Sequence, residues 1–130
     1  MIDHISIAVK ELERSVKFYD AFLGELGMTR IVDRPATAGY GKKYPEFWLN
    51  LRPELPAVPA DVGSHICLRA RSEEIVTRCF RVALSLGGLD DGPPGPRQGE
   101  MTAYFGAFIK DPDGNKVEIV TFPASVSEGP

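Results

Sequence analysis

Apolar and polar residues alternate along most of the chain in short runs, and twice the alternation gives way to a three- and four-residue spacing. Residues 2–9 are β-branched and apolar with partial alternation, which predicts a strand. Over 11–26 the apolar set Leu12, Val16, Tyr19, Phe22, Leu23 and Leu26 falls on one face of a helix, with Gly27 supplying its terminus. Short strands are predicted at 28–33, 37–40 and 47–52, joined by turns rich in Pro and Gly. Residues 53–60 carry three prolines and fit neither period. Beyond them come a strand at 65–70 and a helix at 72–86. Ser72 is its expected N-cap, with Glu73 and Glu74 in the favourable first turn. A short strand at 89–91, a loop at 92–99 with three prolines, and strands at 103–110 and 116–122 complete the pattern. The last two are joined by Asp111-Pro112-Asp113-Gly114-Asn115, a strong turn signal.

The same order occurs twice. Shifting the chain by 61 residues, the step from His4 to His65, lays Ile5 on Ile66, Tyr19 on Phe80, Leu23 on Leu84 and Gly27 on Gly88. The only two histidines of the chain thus coincide at matching points of matching patterns. This is one duplication, not a solenoid. It predicts an α+β fold of two βαβββ modules, 1–52 and 63–122, with 53–62 as connector and 123–130 as a frayed tail. Neither module has enough core alone, so the sheets are expected to associate edge to edge with the helices outside, as an open curved barrel around one cavity.

Composition narrows the function classes. An apolar fraction of 43 % and a charged fraction of 25 % are ordinary globular values. A net charge of −3 and a pI near 5.4 provide no basic footprint for nucleic acid. No apolar run approaches the roughly 18 residues of a membrane span. Asp3 and His4 stand where a secretory leader would carry positive charge, and two cysteines, Cys67 and Cys79, suit reduced thiols. A cytoplasmic protein that binds neither nucleic acid nor membrane is expected.

Strand alternation then selects candidate chemistry. Ile5, Ile7 and Val9 form one face of the first strand and His4, Ser6 and Ala8 the other. Ile66 and Leu68 alternate with His65, Cys67 and Arg69, and Val117 and Ile119 with Lys116, Glu118 and Val120. His4, His65 and Glu118 are therefore expected to point away from the helix-packed layer and converge on one cavity. Two imidazoles and a carboxylate suit a first-row divalent metal with positions left open, and Zn, Ni, Fe, Mn and Co are not distinguished. The structural alternative is a histidine satisfied within the fold and a cavity that binds its ligand without metal. One of Tyr104 and Phe105 must face the cavity; Tyr104 could donate a proton or hydrogen bond. Arg69 could meet an anionic substrate, and Cys67 is a soft donor or a small filler. Arg97, Glu100 and Met101 lie in the long loop, a candidate lid. Trp48 and Phe47 are expected in the cavity wall and core.

HISIAV-x₂-LERSVKFY, HICLRA and DPDGNKVEIV resemble motifs of the vicinal oxygen chelate superfamily, which includes glyoxalases, bleomycin-resistance proteins and extradiol dioxygenases. The resemblance covers all but the tail and implies paired βαβββ modules around a metal, the glyoxalase-like fold. It implies ligands from the first and last strands of each module, three of which are His4, His65 and Glu118. The fourth falls within 47–51, at Trp48 or, with a register slip of two, Asn50; neither is the carboxylate usual in glyoxalase I. The shared chemistry is chelation of two neighbouring oxygens and stabilisation of an enolate-type anion. The resemblance thus implies a glyoxalase-like lyase or isomerase of a small substrate, with Glu118 as ligand and base. A bleomycin-resistance-like binding protein, with aromatic rings stacking on its ligand, is the alternative. An extradiol dioxygenase ranks below both, since its chemistry wants a further histidine. Free sheet edges and the resemblance together predict a homodimer, with modules exchanged between chains as one form of it.

Overall fold

A computed structural model describes residues 1–123; of the expected tail only Pro123 is among them. The element order is β1 (Ile5–Val9), α1 (Leu12–Gly24), β2 (Thr29–Arg34), β3 (Thr37–Gly41) and β4 (Phe47–Leu51), then β5 (Ile66–Arg69), α2 (Glu73–Ser85), β6 (Leu89–Gln98), β7 (Ala103–Lys110) and β8 (Lys116–Thr121). Each repeat builds a four-stranded sheet, ordered β1-β4-β3-β2 and β5-β8-β7-β6. The fold is α+β with two unclosed curved sheets.

Both helices form for the reasons their sequences give. The Ser72 side chain accepts from Ile75 N at 3.2 Å, capping α2. Both helices end on a glycine in the left-handed region, Gly27 at φ 84° and Gly87 at φ 94°. The second of these is not Gly88, which a gapless repeat pairs with Gly27. One residue is missing from the second copy at that corner, and Gly88 instead lets the backbone pass close to Ala83 and Lys110.

The two modules share one core. Phe18, Tyr19, Phe22 and Leu23 of α1, Tyr40, Phe47 and Leu49 of the first sheet, Val76, Cys79 and Phe80 of α2, and Ile109, Val117 and Ile119 of the second sheet form a single buried cluster. At about 1.5–3 kcal/mol for each large side chain buried, this cluster is the dominant favourable term, and it draws on both modules. Helix α1 lies against α2: the Cys79 thiol is 3.8 Å from the Phe22 carbonyl, and Arg78 bridges to Glu25 at 2.7 Å.

Two expectations are corrected. The sheets do not meet by strand pairing: β1 and β5 are both sheet edges, and no backbone ladder joins them. The 111–115 turn covers the β1 edge instead. Asn115 Nδ2 donates to the Ala8 carbonyl at 3.0 Å, and Lys10 N donates to Asp113 Oδ1 at 3.3 Å. The segment 92–99 is not a loop or lid but most of β6, paired with β7 from Leu89↔Lys110 to Gln98↔Ala103 with register shifts around Gly92. Its prolines are tolerated because β6 is an edge strand, where a missing N–H costs no ladder bond. Glu100 and Met101 lie exposed in the tight β6–β7 turn. Among the described residues no helix is long and apolar enough to cross a membrane.

Candidate functional site

The parallel pair β5–β8 positions the site. Its register sets Cys67 beside Glu118 and Leu68 beside Ile119, so Ile119 goes to the core while Glu118 takes the face turned from α2. His65 immediately precedes β5 and reaches across: its Nε2 lies 3.0 Å from Glu118 Oε1. The Glu118 side chain is only 8 % exposed, whereas that of His65 is 41 % exposed, so the carboxylate is held in protein and the imidazole opens to solvent. Edge-on contact with Phe108, 5.7 Å between ring centres, steadies the imidazole.

Tyr104 supplies the other contact. Its hydroxyl donates to Glu118 Oε2 at 3.1 Å. Directly opposite Glu118 on β7 is Phe108, not Tyr104, so the phenol has to lean along the strand. It can because residue 106 is glycine: a Cβ there would stand 3.1 Å from the Tyr104 ring. Burial, and then the charge of Glu118, raise the phenol above its ordinary value, so it remains protonated and donates. Phe105, on the opposite parity, packs against the core rather than the site.

The Cys67 residue is exposed, but desolvation of its sulfur, and next the Glu118 charge, push the thiol up to about 12; it is a neutral thiol at ordinary pH. Arg69 lies over the Phe122 ring at 4.9 Å, an exposed cation beside the Tyr104–Phe122 aromatic pair. Arg97 is turned back on its own strand, donating to the Pro93 and Pro96 carbonyls, and stands opposite Tyr104 in the ladder rather than on a lid. Sequence reading missed Phe108 and Lys116. Phe108 shares the parity of Tyr104, which alternation alone could have shown, and Lys116 lies over its ring at 4.8 Å.

His4 does not join this group. It precedes β1, is 54 % exposed, and its Nδ1 lies 2.7 Å from Asp3 Oδ1. Among the described residues no set of three His, Cys, Asp or Glu side chains is grouped to hold a metal, so the convergence expected within one chain is absent. His4 and His65 precede β1 and β5, the edge strands of two separate sheets. Trp48 is the further departure. It pairs with Ser6 as Glu118 pairs with Cys67, so in the first module it holds the place Glu118 has in the second. Its ring is half-buried over Gly39, where a Cβ would stand 2.9 Å from it. In donor chemistry, an imidazole and a carboxylate 3.0 Å apart fit a first-row divalent ion. In number they fall one short of the three protein ligands that catalytic sites supply. A cleft of about 310 Å³ adjoins His65, walled by Ser6 and Ile7 of β1, the connector around Val58 and Val62, and Lys116.

Against known families, residues 1–119 match the model of the Glyoxalase/Bleomycin resistance protein/Dioxygenase superfamily. The chain belongs to this superfamily. It is 32 % identical over 126 residues to a probable lactoylglutathione lyase of Synechocystis, covering 90 % of this chain and 92 % of that protein. It is 30 % identical to the lactoylglutathione lyase of Salmonella typhimurium, covering 90 % and 89 %. A glyoxalase/bleomycin resistance protein from Albidiferax ferrireducens superposes with a TM-score of 0.83 at 30 % identity, over 94 % of this chain and 99 % of that one. A fosfomycin resistance protein from Listeria monocytogenes shares the fold at a TM-score of 0.69 and 20 % identity, over 96 % and 95 %.

Proposed function

We propose that the protein is a divalent-metal-dependent, glyoxalase-like lyase or isomerase of a small substrate, working as a homodimer. The observation that carries this reading is the His65–Glu118 pair at 3.0 Å on an open sheet face, in a chain about 30 % identical to lactoylglutathione lyases. His65 and Glu118 would hold the ion from one chain, and His4 of a second copy would complete three protein donors. A two-fold dimer would then carry two equivalent centres, since each chain offers both half-sites.

When bound, the ion would act as a Lewis acid toward two neighbouring oxygens of the substrate. The chain's own residues have distinct tasks. Glu118, shielded from water, would serve both as donor and as the group that accepts a proton from substrate carbon. His65 Nε2, beside Oε1, would be the second donor from the same chain. Arg69, exposed over Phe122, would meet substrate anionic charge. Trp48 offers a flat apolar wall where a fourth donor would otherwise stand, so the centre would have more open positions than a four-ligand one.

Trp48 also favours a second reading, a metal-free cavity binding a flat ligand against its indole. Elemental analysis of protein purified without chelators separates the two. About one ion per chain supports the enzyme, and a metal-free protein that retains an aromatic ligand supports the other. Full metal content in both His4→Ala and His65→Ala would overturn the first.

A further inference from the structure

We infer that Tyr104 is a positioning residue, holding Glu118 Oε2 so that the carboxylate presents Oε1 alone beside His65. This rests on the proposal that Glu118 is a metal donor. A carboxylate with two free oxygens can rotate, chelate with both, or turn away from its partner. Here the two oxygens are divided: Oε1 stands 3.0 Å from His65 Nε2 and Oε2 takes the Tyr104 hydroxyl at 3.1 Å. The donor next to an ion is thereby fixed as one oxygen, in one orientation, before any metal arrives. Hydrogen-bonded partners of this kind orient ligands and raise metal affinity.

The ring is built into place for this task. Glycine stands on two sides of it: a Cβ at Gly99 would lie 3.2 Å from the phenol and one at Gly106 3.1 Å. Phe122 packs against the ring at 5.8 Å between centres, with the planes tilted by 43°. A side chain at either glycine would move the hydroxyl off Glu118. A phenol serving only as a core aromatic would not need to lean over a glycine to reach a carboxylate on the next strand.

The test compares wild type with Tyr104→Phe, which keeps the ring and removes the hydroxyl. Co²⁺ affinity is measured by competition with a chromophoric chelator, together with the visible d–d spectrum of the bound ion. Crystal structures of both proteins are solved without metal. A loss of affinity of about 10–100-fold, with a changed d–d spectrum and a rotated Glu118 carboxylate in the metal-free variant, is the expected result. An unchanged Glu118 orientation, or an unchanged affinity and spectrum, overturns the inference. If wild type binds no Co²⁺, the metal reading of the preceding subsection falls, while the Glu118 orientation in the two crystals still decides whether Tyr104 holds it. Should Tyr104→Phe fail to fold, Gly106→Ala, which displaces the ring and keeps the hydroxyl, is read in the same way.

Discussion

Trp48 stands to Ser6 in the first module as Glu118 stands to Cys67 in the second. The duplication has kept the backbone register and exchanged a carboxylate for an indole, so the two halves of the chain are no longer chemically equivalent. If half-sites from two copies share an ion, Trp48→Glu supplies a fourth donor at the symmetric place. Metal affinity should then rise by about tenfold or more, ~1.4 kcal/mol, measured by chelator competition. An unaltered affinity would remove residue 48 from the centre.

Tyr19 of α1 and Asp111 of the β7–β8 turn link the modules through a fully buried bond, hydroxyl to Oδ2 at 2.8 Å. Asp111 also accepts from Asn115 N, Asn115 Nδ2 and Asp113 N, so its carboxylate organises the whole turn. Tyr19→Phe leaves that carboxylate one donor short inside the protein. A loss of about 1–3 kcal/mol of unfolding free energy is expected in urea titration.

Burial raises Asp111 above its ordinary value, only partly offset by these hydrogen bonds. With a higher pKa folded than unfolded, the folded state binds the extra proton between the two values. Stability from this group is therefore greatest below about 3.8 and falls as pH rises through the folded pKa, then levels off. Thermal melts of wild type and Asp111→Asn between pH 3 and 7 isolate the effect, pH limits being about those where carboxylates titrate. The stability difference between the two should shift against wild type as pH rises; a constant difference would contradict it.

Local physics made most of the fold legible. Strands 103–110 and 116–121, both helices and the Ser72 cap follow from periodicity and capping, which depend only on near neighbours. Of β6 only the start at 89–91 was legible, because the three prolines and two glycines that follow read as loop unless one knows the segment lies at a sheet edge. The pairing of His65 with Glu118 followed from alternation within one module. The place of His4 depends on how modules dock. That is set by the Tyr19–Asp111 and Asn115–Ala8 contacts across about a hundred residues of chain, which no local spacing encodes.

In the proposed dimer, His4 of one chain and His65 with Glu118 of another hold a common ion. Metal content of His4→Ala, of His65→Ala, and of the two exchanged together by gentle unfolding and refolding tests it most directly. Each variant alone should be nearly metal-free, while the mixture should regain about a quarter of the wild-type content, from mixed dimers with one intact centre each. Full content in either variant alone, or no recovery in the mixture, would contradict it.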